Sequence, residues 1–231
     1  MKDFEFKLTK ELQQAAVNFE NFRADCKNYL RRVGLCYDKF TVVAHDSYVG
    51  FITEIYIREL IEWKFGDRGF ITRTWSDNFD LDEINRIVYS NDYSEKSSQL
   101  VAEYFYDPYD IEIINGNRRV FIDVKTALTK LTPSLSWDFM YPVVQANKDG
   151  KDYMVLVYFI TNDGKAYSEL KQIDIIGFTN ETSIRKCNVI KKGSYTRFGT
   201  QSLTDNYETS LSRDYSSFEE LFDNFDVYSH L

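Results

Sequence analysis

The segment DIEIINGNRRVFIDVKT, residues 110 to 126, constrains the fold of this chain more than any other. Two runs of alternating apolar residues, DIEII and RRVFIDVKT, flank Asn-Gly-Asn. Asn-Gly accepts the positive φ of a tight turn, so the segment reads as an antiparallel hairpin. Side chains alternate along a strand, which puts Val120, Ile122 and Val124 on one face and Phe121, Asp123 and Lys125 on the other. With the turn centred on Gly116, position 110 falls opposite 122, and Asp110 and Asp123 come within a residue of being neighbours. A bulge would shift that register.

Before the hairpin the apolar period is helical. Leu12, Ala15, Ala16, Phe19, Phe22, Cys26, Tyr29, Leu30 and Val33 recur at helix spacing ahead of Gly34, which predicts a long N-terminal helix. A second helix is expected over 48 to 64, and GFITRTW, residues 69 to 75, reads as a strand. Asp80 with Glu83 three residues on is a capping-box pattern that opens helical structure through 80 to 105. After the hairpin the sequence predicts a helix over 135 to 147, an apolar strand over 152 to 160 and strands near 166 to 178, 185 to 190 and 194 to 201. An acidic helix, SSFEELFDNF, closes the chain. Helices followed by a mixed sheet with one crossover helix define an α/β or α+β class. With no repeat and no Pro/Gly/Ser linker, a single domain over 1 to 231 is expected.

At 231 residues and 43% hydrophobic content the chain can bury a full core without disulfides or a structural metal. Cys26, Cys36 and Cys187 are odd in number and lack CxxC spacing, which fits reduced thiols; two histidines, His45 and His230, argue against a His/Cys zinc site. No apolar run approaches the roughly 18 residues of a membrane span, and MKDFEFKLTK lacks the apolar core of a signal peptide, so a cytoplasmic protein without a membrane partner is expected. The absence of GxxxxGK, of GxGxxG after a strand and of GxSxG removes support for nucleotide-hydrolase, dinucleotide and serine-hydrolase readings.

The net charge of −8 argues against a nucleic-acid partner only until its distribution is seen. From residue 202 onward seven acids face one base, Arg213, which leaves −2 for the first 201 residues. Residues 185 to 198 hold five bases and no acid: Arg185, Lys186, Lys191, Lys192 and Arg197, with Tyr195 and Phe198 among them. Such a stretch can grip a phosphate backbone and stack on a base. Its plain alternative is a solvated hairpin.

The triplet acid-x-Lys occurs seven times, so context must choose among the copies. Only Asp123 sits in an apolar hairpin strand with another acid, Asp110, thirteen residues earlier. Carboxylates and a lysine gathered at one sheet edge can hold a divalent cation, because Mg²⁺ takes a few carboxylate oxygens and keeps several waters. The competing reading is a surface ion pair, which contributes little. Glu112, on the same strand face, is expected to be solvated.

On these residues the chain resembles the PD-(D/E)xK nuclease superfamily, the restriction-endonuclease-like fold. The matching positions are Asp110 in DPYDIEI, Asp123 and Lys125 in FIDVKT, and Glu54 in VGFITEIY on the preceding helix. The likeness covers about residues 46 to 160, with 80 to 105 as a helical insertion and 166 to 231 as a C-terminal extension of strands and an acidic helix. Two departures stand out: Tyr109 precedes the acid while Pro108 follows Asp107, which makes Asp107 a rival to Asp110, and the helices between 80 and 105 interrupt the core meander. The resemblance implies Mg²⁺ or Mn²⁺ held by Asp110, Asp123, Glu54 and the Val124 carbonyl. It also implies a Lys125 that orients water or offsets charge, and an accessory Gln145. The implied activity is endonucleolytic cleavage of DNA in restriction or defence, by a homodimer where both strands are cut. An RNA-cleaving enzyme of the same fold and a non-catalytic α/β binding protein are the alternatives. His45, just before the helix, reads as a polar loop or helix-start contact.

Overall fold

The computed structural model describes residues 4–36, 44–90, 92–147, 149–196 and 199–227, without the side chains of 44, 45 and 224–227. Its centre is β5 (Tyr153–Thr161), whose apolar run is explained by burial on both faces. Val155, Val157 and Phe159 pack toward one side, while Leu156, Tyr158 and Ile160 pack toward the other. The chain is mixed α and β, as expected. A five-stranded sheet is ordered β1-β2-β3-β5-β6, where β1 is Ile71–Thr74, β2 Ile111–Asn115, β3 Arg118–Thr129 and β6 Leu170–Thr179. Only β3 and β5 are parallel; every other neighbouring pair in this sheet is antiparallel.

Helix α2 (Ala44–Phe65) lies across one face of this sheet, burying Ile52, Ile57 and Ile61 against Ile111, Ile113, Ile122 and Val124. Helix α1 (Lys10–Arg32), capped by the Thr9 hydroxyl accepting from the Leu12 N–H, packs outside α2. Its C-terminal half joins α3 (Leu81–Ser90) and α4 (Glu95–Phe105) in a separate cluster around Cys26, Tyr29 and Tyr104. The expected insertion at 80 to 105 is thus two helices docked on α1.

The segment between β3 and β5 departs from expectation. Instead of a helix over 135 to 147 it forms β4 (Asp138–Pro142) and a four-residue helix, α5 (Val143–Ala146). Trp137, Phe139 and Tyr141 alternate, and period two lets all three pack toward the second face of β5, as a helix would not. β4 opens a three-stranded sheet ordered β4-β8-β7, with β7 Asn188–Ile190 and β8 Asn206–Ser210. β8 was not expected from the sequence. The expected strand at 185 to 190 shortens to β7, because a turn after α6 (Glu181–Ile184) takes up residues 185 to 187; of the strand expected over 194 to 201, Tyr195 and Gln201 form an isolated bridge, and 197 and 198 lie outside the described residues. β6 belongs to the main sheet, so the region after 166 is not wholly an extension. The acidic helix α7 (Phe218–Val227) is part of the core: Phe222 stacks on Phe65 at 3.9 Å between ring centroids.

Candidate active site

The site arises where one strand outlasts its neighbour. β2 pairs with β3 as far as Ile111↔Ile122, while β3 continues to Thr129. The hairpin turns at Gly116, with φ of 58°, and its register lies one residue from the expected 110 opposite 122. Asp110 nevertheless gives its own N–H to the Ile122 carbonyl at 2.9 Å. Its carboxylate accepts the Val124 N–H at 2.5 Å, so a side chain takes over where backbone pairing stops. N–H and C=O of one strand residue point to the same edge, which aims the Val124 carbonyl toward Asp110 as well.

Beside this edge opens a cleft of about 730 Å³. Glu54, Asp110, Asp123, Val124, Lys125 and Gln145 all line it. Asp123 is not on a solvated strand face. It is 5% exposed, and accepts from the Lys125 ammonium at 2.8 Å through Oδ1 and from the Tyr141 hydroxyl at 2.7 Å through Oδ2. Glu54 reaches in from α2, one helical turn after Gly50, and both residues line the cleft. Gln145 rides on α5, its carbonyl accepting from Lys151 Nζ at 2.5 Å.

Charge divides the acids into two kinds. Burial pushes Asp123 up, but Lys125, Lys151 and the hydrogen bonds from Lys125 and Tyr141 outweigh it and hold the carboxyl below its ordinary value. Burial likewise pulls Lys125 down, yet Asp123 and Asp110 raise it overall, so it stays an ammonium. Glu54 and Asp110 keep some surface at the cleft, and the nearby cations, with the Val124 N–H at Asp110, offset their burial only in part. Burial and the charges of Asp110 and Asp107 raise Glu54 well above the carboxylate range. Burial and Asp123 push Asp110 up to about 7.

A divalent cation fits this donor set, which is all hard oxygen and carries like charge that a cation would relieve. Among the described residues no three His, Cys, Asp or Glu side chains stand close enough to cage a metal on their own. Mg²⁺ bound by one or two carboxylates and water does not require such a cage. Glu54, Asp110, Asp123 and the Val124 carbonyl are the groups that would hold it.

The basic stretch is placed elsewhere. None of its described members lines the cleft, and two of its charges are matched: Arg185 pairs with Glu181, and Lys191 Nζ lies 3.0 Å from Asp205 Oδ2. Lys186 and Tyr195 are exposed; Arg197 and Phe198 lie outside the described residues, as does the side chain of His45. One link joins the stretch to the cleft: Asp205 holds the Lys192 N–H with its carboxylate at 2.8 Å, while its carbonyl accepts the Val143 N–H at 2.9 Å at the start of α5. Glu112 is outside the cleft too, and it is buried rather than solvated, in an ion pair with Arg119 at 2.6 Å.

Two groups escaped the sequence reading: Tyr141, buried behind Asp123, and Arg23, in the cleft lining. Tyr141 was hidden by the helix expected over 135 to 147, although Trp137, Phe139 and Tyr141 at period two carried the strand signal. Arg23 lies on α1, outside the stretch that resembles a nuclease core, yet lines the cleft with Asp107. A guanidinium beside Phe19 and Phe22 on an apolar helical stripe was its trace in the sequence. No protein-family model, curated protein or solved structure matches the chain. Among the described residues no helix is long and apolar enough to cross a membrane.

The raised acids predict how stability varies with pH in the absence of divalent ions. A carboxyl whose folded pKa is raised binds its proton more tightly when folded, so its contribution is fully present below the unfolded pKa and lost as pH rises through the folded one. For Asp110 that window runs from about 3.8 to about 7. Melting temperature in EDTA should therefore fall across it, and Asp110→Asn should flatten the fall. An unchanged slope in the variant would assign the effect to other groups.

Proposed function

We propose that this chain is a Mg²⁺- or Mn²⁺-dependent endonuclease of the restriction-endonuclease-like type that hydrolyses DNA phosphodiester bonds. One observation carries the reading: Glu54, Asp110, Asp123 and Lys125, from a helix, a strand entry and a strand, line the same cleft at the open edge of β3. A bound Mg²⁺ supplies Lewis acidity toward the phosphate and activates the attacking water. Asp110, Asp123, Glu54 and the Val124 carbonyl are the groups that would hold that ion. Asp123 is preorganised for this, since Tyr141 and Lys125 fix both of its oxygens. Lys125 remains protonated, so it positions water and offsets charge developing on the phosphate; it does not act as the general base. Gln145 stands on the rim, and the turn carrying Lys191, Lys192 and Tyr195 receives the strand beyond it.

A non-catalytic binding protein is the second reading, favoured by the commitment of both Asp123 oxygens to Lys125 and Tyr141. Calorimetric Mn²⁺ titration, together with nicking of supercoiled DNA and of a structured RNA in Mg²⁺, Mn²⁺ or EDTA, separates the readings. The expected result is Mn²⁺ binding that weakens in Asp110→Asn, with DNA cut only when metal is present. Neither heat nor cleavage would leave the binding protein; faster cutting of RNA would move the substrate class.

A further inference from the structure

We infer that Arg23 of α1 is a phosphate-gripping residue of the cleft, taking a backbone phosphate of the nucleic-acid strand beside the acidic centre; this rests on the nuclease reading for the identity of the ligand. Its side chain is 16% exposed and its guanidinium lies 4.5 Å from the centroid of the Phe105 ring. The aromatic face fixes the plane of the fork and shields one side from water, which strengthens the charge. Its ion pair with Asp107 is long, 3.8 Å from Nη2 to Oδ2, beyond hydrogen-bond range. A planar fork held in place but not closed on a carboxylate is suited to two parallel bonds to phosphate oxygens.

The rest of the cleft needs such a group. Lys125, the other cation among its lining residues, is committed to Asp123 at 2.8 Å. Glu54, Asp107, Asp110 and Asp123 would repel a phosphate, and a bound metal ion would address only the oxygens next to it. Arg23 lines the same cleft from a helix outside the nuclease-like core, nearest to Asp107, where it can hold a phosphate neighbouring the one attacked. Asp107 then competes with the incoming phosphate for the same guanidinium, so the two residues should act with opposite sign.

The test is fluorescence anisotropy of a short fluorescein-labelled DNA duplex, in Ca²⁺ to support binding without turnover and separately in EDTA, across a salt series. Arg23→Ala should weaken binding roughly tenfold, as expected for loss of a charge-assisted pair. It should also reduce the slope of log affinity against log salt by about 1. Arg23→Lys keeps charge but not the fork, and should recover the slope more than the affinity; it carries the test if the alanine variant does not fold. Asp107→Asn should bind more tightly than the parent. If Arg23→Ala, Arg23→Lys and Asp107→Asn all bind as the parent does, Arg23 is only a structural counter-charge and the inference falls. Arg23-dependent binding by a parent protein that cuts nothing in Mg²⁺ or Mn²⁺ would sink the nuclease reading and uphold the phosphate grip.

Discussion

Asp123→Ala should lower DNA cleavage by roughly a thousandfold and, unlike an ordinary active-site substitution, should also destabilise the protein. The first effect follows from losing a carboxylate whose two oxygens are aimed by Tyr141 at 2.7 Å and Lys125 at 2.8 Å. The second follows from what remains. The Lys125 side chain is 20% exposed and Tyr141 1%, so removing their shared acceptor leaves an ammonium without its acid partner and a buried hydroxyl without its bond. Breaking one side of a buried pair costs about 3 kcal/mol, far more than the net worth of the pair itself. Combining Asp123→Leu with Lys125→Met removes both charges and should recover much of the stability while leaving activity absent. Urea unfolding and a nicking assay on the three proteins decide it. If Asp123→Ala cuts as well as the parent, Asp123 is not part of the machinery; if the double variant is as unstable as the single one, the buried charge is not the cause.

The parts of this site legible in the sequence are those set by short-range rules. Asn-Gly fixed the hairpin turn, alternation put Asp123 and Lys125 on a common face, and the turn centre brought Asp110 to within one residue of its observed register. What the sequence did not disclose depends on contacts between distant segments. Tyr141 meets Asp123 across eighteen positions of chain because β4 crosses the second face of β5, and the period-two signal of Trp137, Phe139 and Tyr141 is too short to outweigh a helical reading. Arg23 reaches Asp107 because α1 packs against α4, which ends just before Asp107, a packing choice that helical periodicity cannot specify. Glu112 shows the same limit in reverse: a strand face that reads as solvated was closed over by Arg119. The acidic C-terminal segment looked separable by charge, yet Phe218, Leu221 and Phe222 belong to the main core.

That last contact makes Gly177→Ala a severely destabilising change, since an added carbon at no other glycine would come so close to its neighbours. Gly177 sits in β6 opposite Leu156, at the point where the pairing with β5 shifts register, and its φ is 151°. A Cβ there would lie 2.1 Å from the Ser216 carbonyl oxygen and 3.1 Å from its carbon, which is backbone and cannot swing aside. Ser216 exchanges both main-chain hydrogen bonds with Phe178, at 2.8 and 2.9 Å, and this bridge delivers α7 to the core. The strained backbone and the clash together should cost roughly 3 kcal/mol or more. Gly116→Ala is the control: φ is 58°, but nothing lies within 4 Å of the added carbon, so only the strain of about 1 kcal/mol remains. Because Phe222 stacks on Phe65 at the end of α2, detaching α7 removes support from the helix that carries Glu54. Hydrogen exchange should therefore show α7 and the last turns of α2 losing protection together in Gly177→Ala, with cleavage declining alongside. Equal urea midpoints for the two variants would mean that Ser216 yields and that the bridge does not hold the C-terminal helix in place.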